Sequence, residues 1–146
     1  MPLLEVYNNQ EEEMIPDELL EKLCRIGNQA LPLTLENPAN GGGVLSELEE
    51  VEISIVSDEV IEQVHVDFMD IPGATDVITF AHGEIVISAE TARSYGREYG
   101  NSFERELMLY IIHGLLHLAG HEDEDPQERV EMEKIQMEIL ERVWVG

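Results

Sequence analysis

Two histidines interrupt the most apolar stretch of the chain, LMLYIIHGLLHLA at residues 107–119. They are His113 and His117, and a spacing of four places both on one face of a helix. A buried imidazole without partners loses about 1–3 kcal/mol for each missing hydrogen bond. The pair therefore requires polar partners or a metal ion, and a His-x-x-x-His turn can deliver two nitrogens to one ion. We expect a site for one divalent metal, with zinc as the simplest choice.

The third ligand is expected just beyond Gly120, a residue that can end a helix and let the chain turn back. Spacing alone leaves two candidates, His121 and Asp123, because imidazole nitrogen and carboxylate oxygen both bind zinc. The neighbouring Glu122 and Glu124 are expected to be solvated acids. The motif thus predicts a metal site of two histidines and one further residue.

Patterning along the rest of the chain predicts a single α+β domain over residues 1–146, with about four strands in a mixed sheet and about five helices. Strands are expected at 3–9, 51–57, 75–80 and 83–88, the last two as a hairpin. Helices are expected from Pro16 onward, from Asp58 to Phe68, at 89–99, at 102–119 and from Asp125 to about Trp144. The helix at 102–119, which carries the histidines, is expected to be buried against the sheet.

Local signals predict how several helices begin. Ser88 is expected to cap the helix at 89–99. Asn101 and Glu104 resemble a capping box for the helix at 102–119. The pair Asp125-Pro126 is a strong start signal, because aspartate caps well and proline favours the first helical position.

Other local patterns predict turns and apolar faces. Residues 37–43 (NPANGGG) are expected to form a loop, and Pro72-Gly73 a turn. The apolar faces are expected to contain Leu19, Leu23, Ile26 and Ala30 in the first helix, Ile61, Val64 and Phe68 in the second, and Ala92, Tyr95 and Tyr99 in the third.

Composition sets limits on function. Thirty-two acidic residues against eight basic ones give a formal net charge of -24, which repels polyanions and counts against a large nucleic-acid footprint. The single cysteine, Cys24, allows no internal disulfide and is typical of a reducing cytoplasm. The N-terminal residues show no secretory pattern, and the longest apolar run falls short of the roughly 20 residues that span a bilayer. We therefore expect a cytoplasmic protein without a membrane partner.

The motif HGLLHLAGHED at residues 113–123 is similar to the signature His-Gly-x-Leu-His-Leu-x-Gly-Tyr-Asp-His of the YbeY family. These are bacterial metal-dependent endoribonucleases of ribosomal RNA maturation. TDVITF at 75–80 and GEIVIS at 83–88 resemble two strands of the same family, in register with the motif. The resemblance covers roughly residues 51–125. It implies single-strand endoribonuclease activity in ribosome assembly, with ribosomal RNA, small-subunit ribosomal proteins and an assembly GTPase as partners.

The chain departs from that family at two positions. Asp123 occupies the position of the family's third histidine ligand, and His121 that of its tyrosine. The resemblance therefore favours Asp123 as the third ligand, with His121 as the alternative. Met69 stands where many members carry an arginine that is thought to contact RNA. Loss of that cation predicts a weak nuclease.

Two other functions fit parts of the pattern. Metalloproteases with a His-Glu-x-x-His motif use the glutamate as general base, but Gly114 occupies that position here and cannot move a proton. A non-catalytic ribosome-assembly factor with a structural metal fits the acidic surface and Met69.

The groups that would assist a metal in catalysis are less clear from the sequence. Asp76 and Glu84 lie on the two strands that the resemblance places beside the metal helix, and either is a candidate general base. Asp76 could equally hold turn amides and Glu84 could face solvent. Three of the eight cations, Arg93, Arg97 and Arg105, fall close together and could form a positive strip for RNA.

Overall fold

The computed structural model describes residues 1–69 and 75–145. Its sheet contains four strands in that part of the chain: β1 (Leu3–Asn8), β2 (Glu50–Val56), β3 (Val77–Phe80) and β4 (Glu84–Ser88). Their order is β1-β2-β4-β3, so β3 lies at an edge. β1 pairs parallel to β2 and β2 parallel to β4, whereas β3 and β4 form an antiparallel hairpin. The sheet is therefore mixed, as predicted.

Five α-helices accompany this sheet in the described residues: α1 (Asp17–Leu35), α2 (Asp58–Met69), α3 (Ala89–Tyr99), α4 (Phe103–Leu118) and α5 (Pro126–Val143). Two short 3-10 turns, Asn40–Gly42 and Leu45–Glu47, lie in the connection between α1 and β2. The predicted α+β class is confirmed. None of these helices combines the length and the apolar character that a membrane span requires.

The α4 helix lies at the centre of the hydrophobic core, which explains why it is apolar nearly all round. Eleven of its sixteen residues are buried, and the core also contains the inward residues Val51, Ile53 and Ile55 of β2. Gly114 lets α4 approach the sheet closely, because a Cβ atom there would lie 2.6 Å from Cγ2 of Ile85. Close packing of helix on sheet thus accounts for a glycine that costs about 1 kcal/mol in helix propensity.

Three local predictions were wrong. Tyr95 and Tyr99 do not point inward: they are 40% and 68% exposed and contact one another edge to face. Phe68 contacts the ring of Phe80 but stays 70% exposed. The α3 helix instead buries Ala89, Ala92 and Gly96, because small residues let it pack closely on α4.

The predicted capping box at α4 was also wrong, because Ser102 is the N-cap and its hydroxyl accepts a hydrogen bond from the Arg105 amide. Asn101 donates instead to the buried carboxylate of Glu106. The caps Ser88 and Asp125 are confirmed. The predicted Pro72-Gly73 turn falls outside the described residues.

Candidate metal centre

Two histidines of α4 and one aspartate beyond its end converge on one point. Nε2 of His113 lies 3.1 Å from Nε2 of His117, and each nitrogen lies 3.6 Å from Oδ2 of Asp123. The histidines meet because they are one helical turn apart, and Asp123 joins them because the chain reverses at Gly120, whose φ is 100°. The structure thus brings together the three residues that the sequence proposed as metal ligands.

These separations fit a single small ion. Three ligand atoms at about 2.1 Å from zinc and at tetrahedral angles lie about 3.4 Å from one another, close to the 3.1 and 3.6 Å observed here. Two nitrogens and one carboxylate oxygen are ordinary zinc ligands. The donor set and its spacing are therefore suited to one divalent metal, and an ion held by only these three ligands would be able to bind a further molecule.

Both rings are held through their second nitrogen, which is typical of metal-binding histidines. Nδ1 of His117 lies 2.9 Å from the carbonyl oxygen of His121, and Nδ1 of His113 lies 2.7 Å from Oε1 of Gln136. Burial, followed by the proximity of His113, lowers the pKa of His117. A lowered pKa keeps the imidazole neutral, and so able to bind metal, at more acidic pH.

His121, the alternative third ligand, is directed elsewhere. Its side chain is 5% exposed, and its Nε2 donates to the carbonyl oxygen of Asn37 at 2.6 Å. Its own backbone carbonyl orients His117. His121 therefore links the turn after α4 to the loop after α1, and the geometry favours Asp123 as third ligand.

The loop at 37–44 braces this turn through its backbone. The amides of Ala39 and Val44 donate to the carbonyl oxygens of Ala119 and Leu118, and the Asn40 side chain donates to that of Gly120. From the other side, Nε of Arg129 donates to the Asp123 carbonyl at 3.0 Å. Ligand position thus depends on contacts between segments about 80 residues apart.

The three candidate ligands open onto a cavity of about 620 Å³. Residues described along its wall are Asn40, Gly43, Val44, Met69, Thr75, Asp76, Val77, Ile78, Thr79, Ala81, His113, His117, Leu118, Gly120, Glu122, Asp123 and Glu124. Four of these are carboxylates and none is lysine or arginine. A phosphate entering the cavity would meet no cation from these residues, so the metal would have to supply the positive charge.

The two candidate general bases have different positions. Asp76 lines the cavity, and its Oδ1 also accepts a hydrogen bond from the Val77 amide at 2.9 Å. Glu84 is not among the described lining residues, and its carboxylate lies 3.4 Å from Nε2 of the exposed His82. Of these two candidates, Asp76 is the one placed where it could exchange a proton with a substrate at the metal.

The three arginines proposed as an RNA strip do not reach the described cavity wall. Arg93 is paired with Glu13 at 2.9 Å and stacks on the ring of Phe103, and Arg105 donates to Asn101. Arg97 is exposed at the end of α3, and no partner for it is seen within residues 1–69 and 75–145. Of the three arginines, only Arg97 has a guanidinium without a partner among the described residues, which leaves it available for a distant contact.

Gln136 and Asn40 were missed by reasoning from sequence. Gln136 is 8% exposed on α5 and faces His113 across the helix interface. A polar residue on the inward stripe of an otherwise amphipathic helix was the available signal for it. Asn40 lay in a segment that composition marks only as a loop.

Fold and site together define an α+β protein with a candidate metal centre of two histidines and one aspartate, a donor set of the kind found in metal-dependent hydrolases. The family model described as "Endoribonuclease YbeY" matches residues 5–144. The chain therefore belongs to the YbeY family, and the resemblance found in the sequence is confirmed.

Individual relatives agree with this assignment. Proteins named Endoribonuclease YbeY match at 38% identity from Renibacterium salmoninarum (62% of this chain, 69% of the relative) and at 31% from Symbiobacterium thermophilum (94% and 96%). Among solved structures, the solution structure of TM1509 from Thermotoga maritima superimposes with a TM-score of 0.61 and 27% identity, covering 97% of this chain and 89% of that one.

Proposed function

We propose that this protein is a metal-dependent endoribonuclease that cleaves single-stranded RNA. The observation that carries the proposal is the convergence of His113, His117 and Asp123 on the wall of an open cavity, in a chain that belongs to the YbeY family. The three residues would hold one divalent ion, for which zinc is our first choice. When bound, such an ion acidifies water and stabilises the negative charge that develops on a phosphodiester.

The chain's own residues have separate tasks in this proposal. Gln136 and the His121 carbonyl orient the two rings, and Arg129 holds the backbone of Asp123. Asp76 is the candidate to take or return a proton, because it directly precedes β3 and lines the cavity. Glu84 is unsuited to that task where it lies.

A metalloprotease reading is not supported by the packing of α4. The position after His113 is Gly114, and even a Cβ atom there would meet Ile85 at 2.6 Å. A glutamate at this position would require the Ile85 side chain or the helix to shift. The general base of the His-Glu-x-x-His proteases therefore has no counterpart at this point of the structure.

The family resemblance also supports a proposal on the substrate class and the partners. We propose ribosomal RNA as substrate, during maturation and ribosome assembly in the cytoplasm, with small-subunit ribosomal proteins and an assembly GTPase as partners. A chain with 32 acidic and eight basic residues is suited to docking on basic ribosomal proteins. The same charge opposes binding to naked RNA, so we expect weak activity on RNA alone.

Cleavage of a labelled single-stranded RNA by metal-free and zinc-loaded protein tests the proposal. Cleavage should require the metal and should be lost in Asp123→Asn, with single-stranded DNA of the same sequence as a control substrate. Stoichiometric zinc without RNA cleavage would instead favour the non-catalytic assembly factor. The acidic residues of the cavity wall support that alternative, because they repel RNA phosphates.

The substitution Met69→Arg should strengthen RNA binding. Met69 lines the cavity and is 45% exposed, so an arginine there could reach a phosphate of the bound strand. One charge-assisted hydrogen bond corresponds to about tenfold in Kd, and one added phosphate contact steepens the salt slope by about 0.7 for single strands. Fluorescence anisotropy of labelled RNA at several salt concentrations measures both.

Met14→Arg is the matched control for that experiment. Met14 is 81% exposed and is not among the described cavity residues. An arginine at position 14 therefore adds the same charge away from the cavity. An equal gain in both variants would mean that net charge alone governs binding and that position 69 makes no phosphate contact.

A further inference from the structure

Three aromatic rings form a cluster where the end of α2 meets the β3–β4 hairpin. This aromatic cluster consists of Phe68, Phe80 and His82. The ring centroid of Phe80 lies 5.5 Å from that of Phe68, edge to face, and 5.5 Å from that of His82, in a stacked arrangement. Phe80 is half-buried and packs on a small core cluster that contains Ile78 and Val86. The sheet therefore supports the two outer rings through Phe80.

The two outer rings of the aromatic cluster are exposed. Phe68 is 70% exposed, and the His82 side chain is exposed to the same extent. Met69, the next residue after Phe68, is 45% exposed. Single apolar residues are common on protein surfaces, but grouped apolar side chains more often mark a binding site.

The aromatic cluster adjoins the cavity of the candidate metal centre. Met69 follows Phe68 in the chain and lines the cavity, and so does Ala81, which lies between Phe80 and His82. β3 is an edge strand, and the described residues contain no strand beyond it. An extended chain bound in the cavity could therefore pass the edge of β3 and reach the aromatic cluster.

Charge decides which part of a nucleic acid this surface would attract. The described cavity wall carries four carboxylates and no lysine or arginine, and the whole chain has a formal net charge of -24. Phosphates are therefore repelled everywhere on the wall except at a bound metal ion. A base is uncharged at neutral pH, and its flat ring can stack on phenylalanine or histidine. Stacking is thus an attraction that the acidic surface does not oppose.

We propose that the aromatic cluster is a stacking site for a base of the single-stranded RNA, beyond the nucleotides that enter the cavity. Phe68 and His82 present the exposed rings, and Phe80 supports them. The bases of a duplex are already stacked and paired, so such a site favours single strands. The proposal rests on the proposed function, because the RNA must enter the cavity for its bases to reach these rings.

Substitutions at Phe68 test the proposal through the Kd of zinc-loaded protein for a labelled single-stranded RNA, measured by fluorescence anisotropy before cleavage has progressed. Phe68→Ala should weaken binding by about 5- to 150-fold, the range for one stacked base. Phe68→Leu should lose nearly as much, because leucine keeps the apolar surface but has no flat ring. Phe68→Tyr should bind like the parent. The salt dependence of Kd should be the same in all variants, because no phosphate contact changes.

Tyr99→Ala is the matched control, because Tyr99 is 68% exposed and is not among the described cavity residues. This variant should bind RNA like the parent. An RNA of the same length without bases is the second control, and it should bind the parent and Phe68→Ala equally. The proposal is wrong if Phe68→Ala, shown by circular dichroism to be folded, binds the normal RNA like the parent. It is also wrong if Phe68→Leu retains full affinity, since the contact would then be apolar and not stacking.

Cleavage assays separate this proposal from the proposed function. RNA that is cleaved in the presence of zinc, with the same Kd for Phe68→Ala as for the parent, would overturn only the stacking site. RNA that binds through Phe68 but is not cleaved would overturn the endoribonuclease activity and support the stacking site. RNA that fails to bind the parent protein would overturn both.

Discussion

Asp123→Asn should lose tight zinc binding while the protein remains folded. Oδ2 of Asp123 lies 3.6 Å from Nε2 of each histidine and supplies the only carboxylate of the proposed donor set. Asparagine keeps the shape but removes the negative charge and binds zinc poorly. The affinity should fall by more than the roughly 10- to 100-fold that accompanies loss of an outer partner. Competition titration with a chromophoric chelator measures the change.

Glu124→Gln is the matched control. Glu124 is exposed and lines the same cavity, so the variant removes one negative charge from the cavity without touching the donor set. Its zinc affinity should stay near that of the parent. A similar loss in both variants would show that the acidic field, not direct ligation by Asp123, determines binding.

His121→Ala distinguishes the two candidates for the third ligand. Its imidazole donates to Asn37, and its backbone carbonyl, which orients His117, is retained in alanine. We therefore expect lower stability, because one buried hydrogen bond is lost, but zinc bound at one equivalent. Zinc lost in His121→Ala and retained in Asp123→Asn would assign the third ligand to His121.

Local signals in the sequence predicted much of this site. His113 and His117 are one turn apart within an apolar helix, so their meeting requires only that the helix forms. Asp125 caps α5 by accepting a hydrogen bond from the Gln127 amide, two residues away, and the sequence predicted this cap as well. The antiparallel pairing of β3 and β4 followed from two β-rich runs joined by a short turn.

Contacts between segments that are distant along the chain could not be predicted from such local signals. Arg93 pairs with Glu13 across 80 residues, which removes it from the proposed RNA strip. Gln136 meets His113 only because α5 packs on α4. Tyr95 and Tyr99 share a helical stripe with Ala92, but the face that α3 buries carries Ala89, Ala92 and Gly96. A Cβ atom at Gly96 would already lie 2.8 Å from the carbonyl oxygen of Asn101. Periodicity indicates a face, whereas packing distance decides how much of that face is buried.

The glycine that ends α4 carries the largest expected effect on stability. Gly120 has a φ of 100°, and a Cβ atom there would lie 1.9 Å from the carbonyl oxygen of Ala39. Gly43 is nearly as close on the other side, since its own Cβ would lie 2.3 Å from the carbonyl oxygen of Leu118. The turn that delivers Asp123 therefore depends on two glycine backbones in direct contact.

Gly120→Ala should destabilise the metal-free protein by about 3–5 kcal/mol, because backbone strain of about 1–3 kcal/mol adds to a clash with backbone that cannot rotate away. At about 2–4 °C per kcal/mol for a chain of this size, Tm should fall by roughly 10 °C or more. Gly41→Ala is the control: its φ is 87°, but nothing lies within 4 Å of the added Cβ, so it isolates the cost of strain. Thermal unfolding and zinc titration of both variants should show a large loss of stability and affinity in Gly120→Ala alone. Equal losses would mean that left-handed backbone conformation, and not the contact between the two loops, sets the requirement for glycine at this turn.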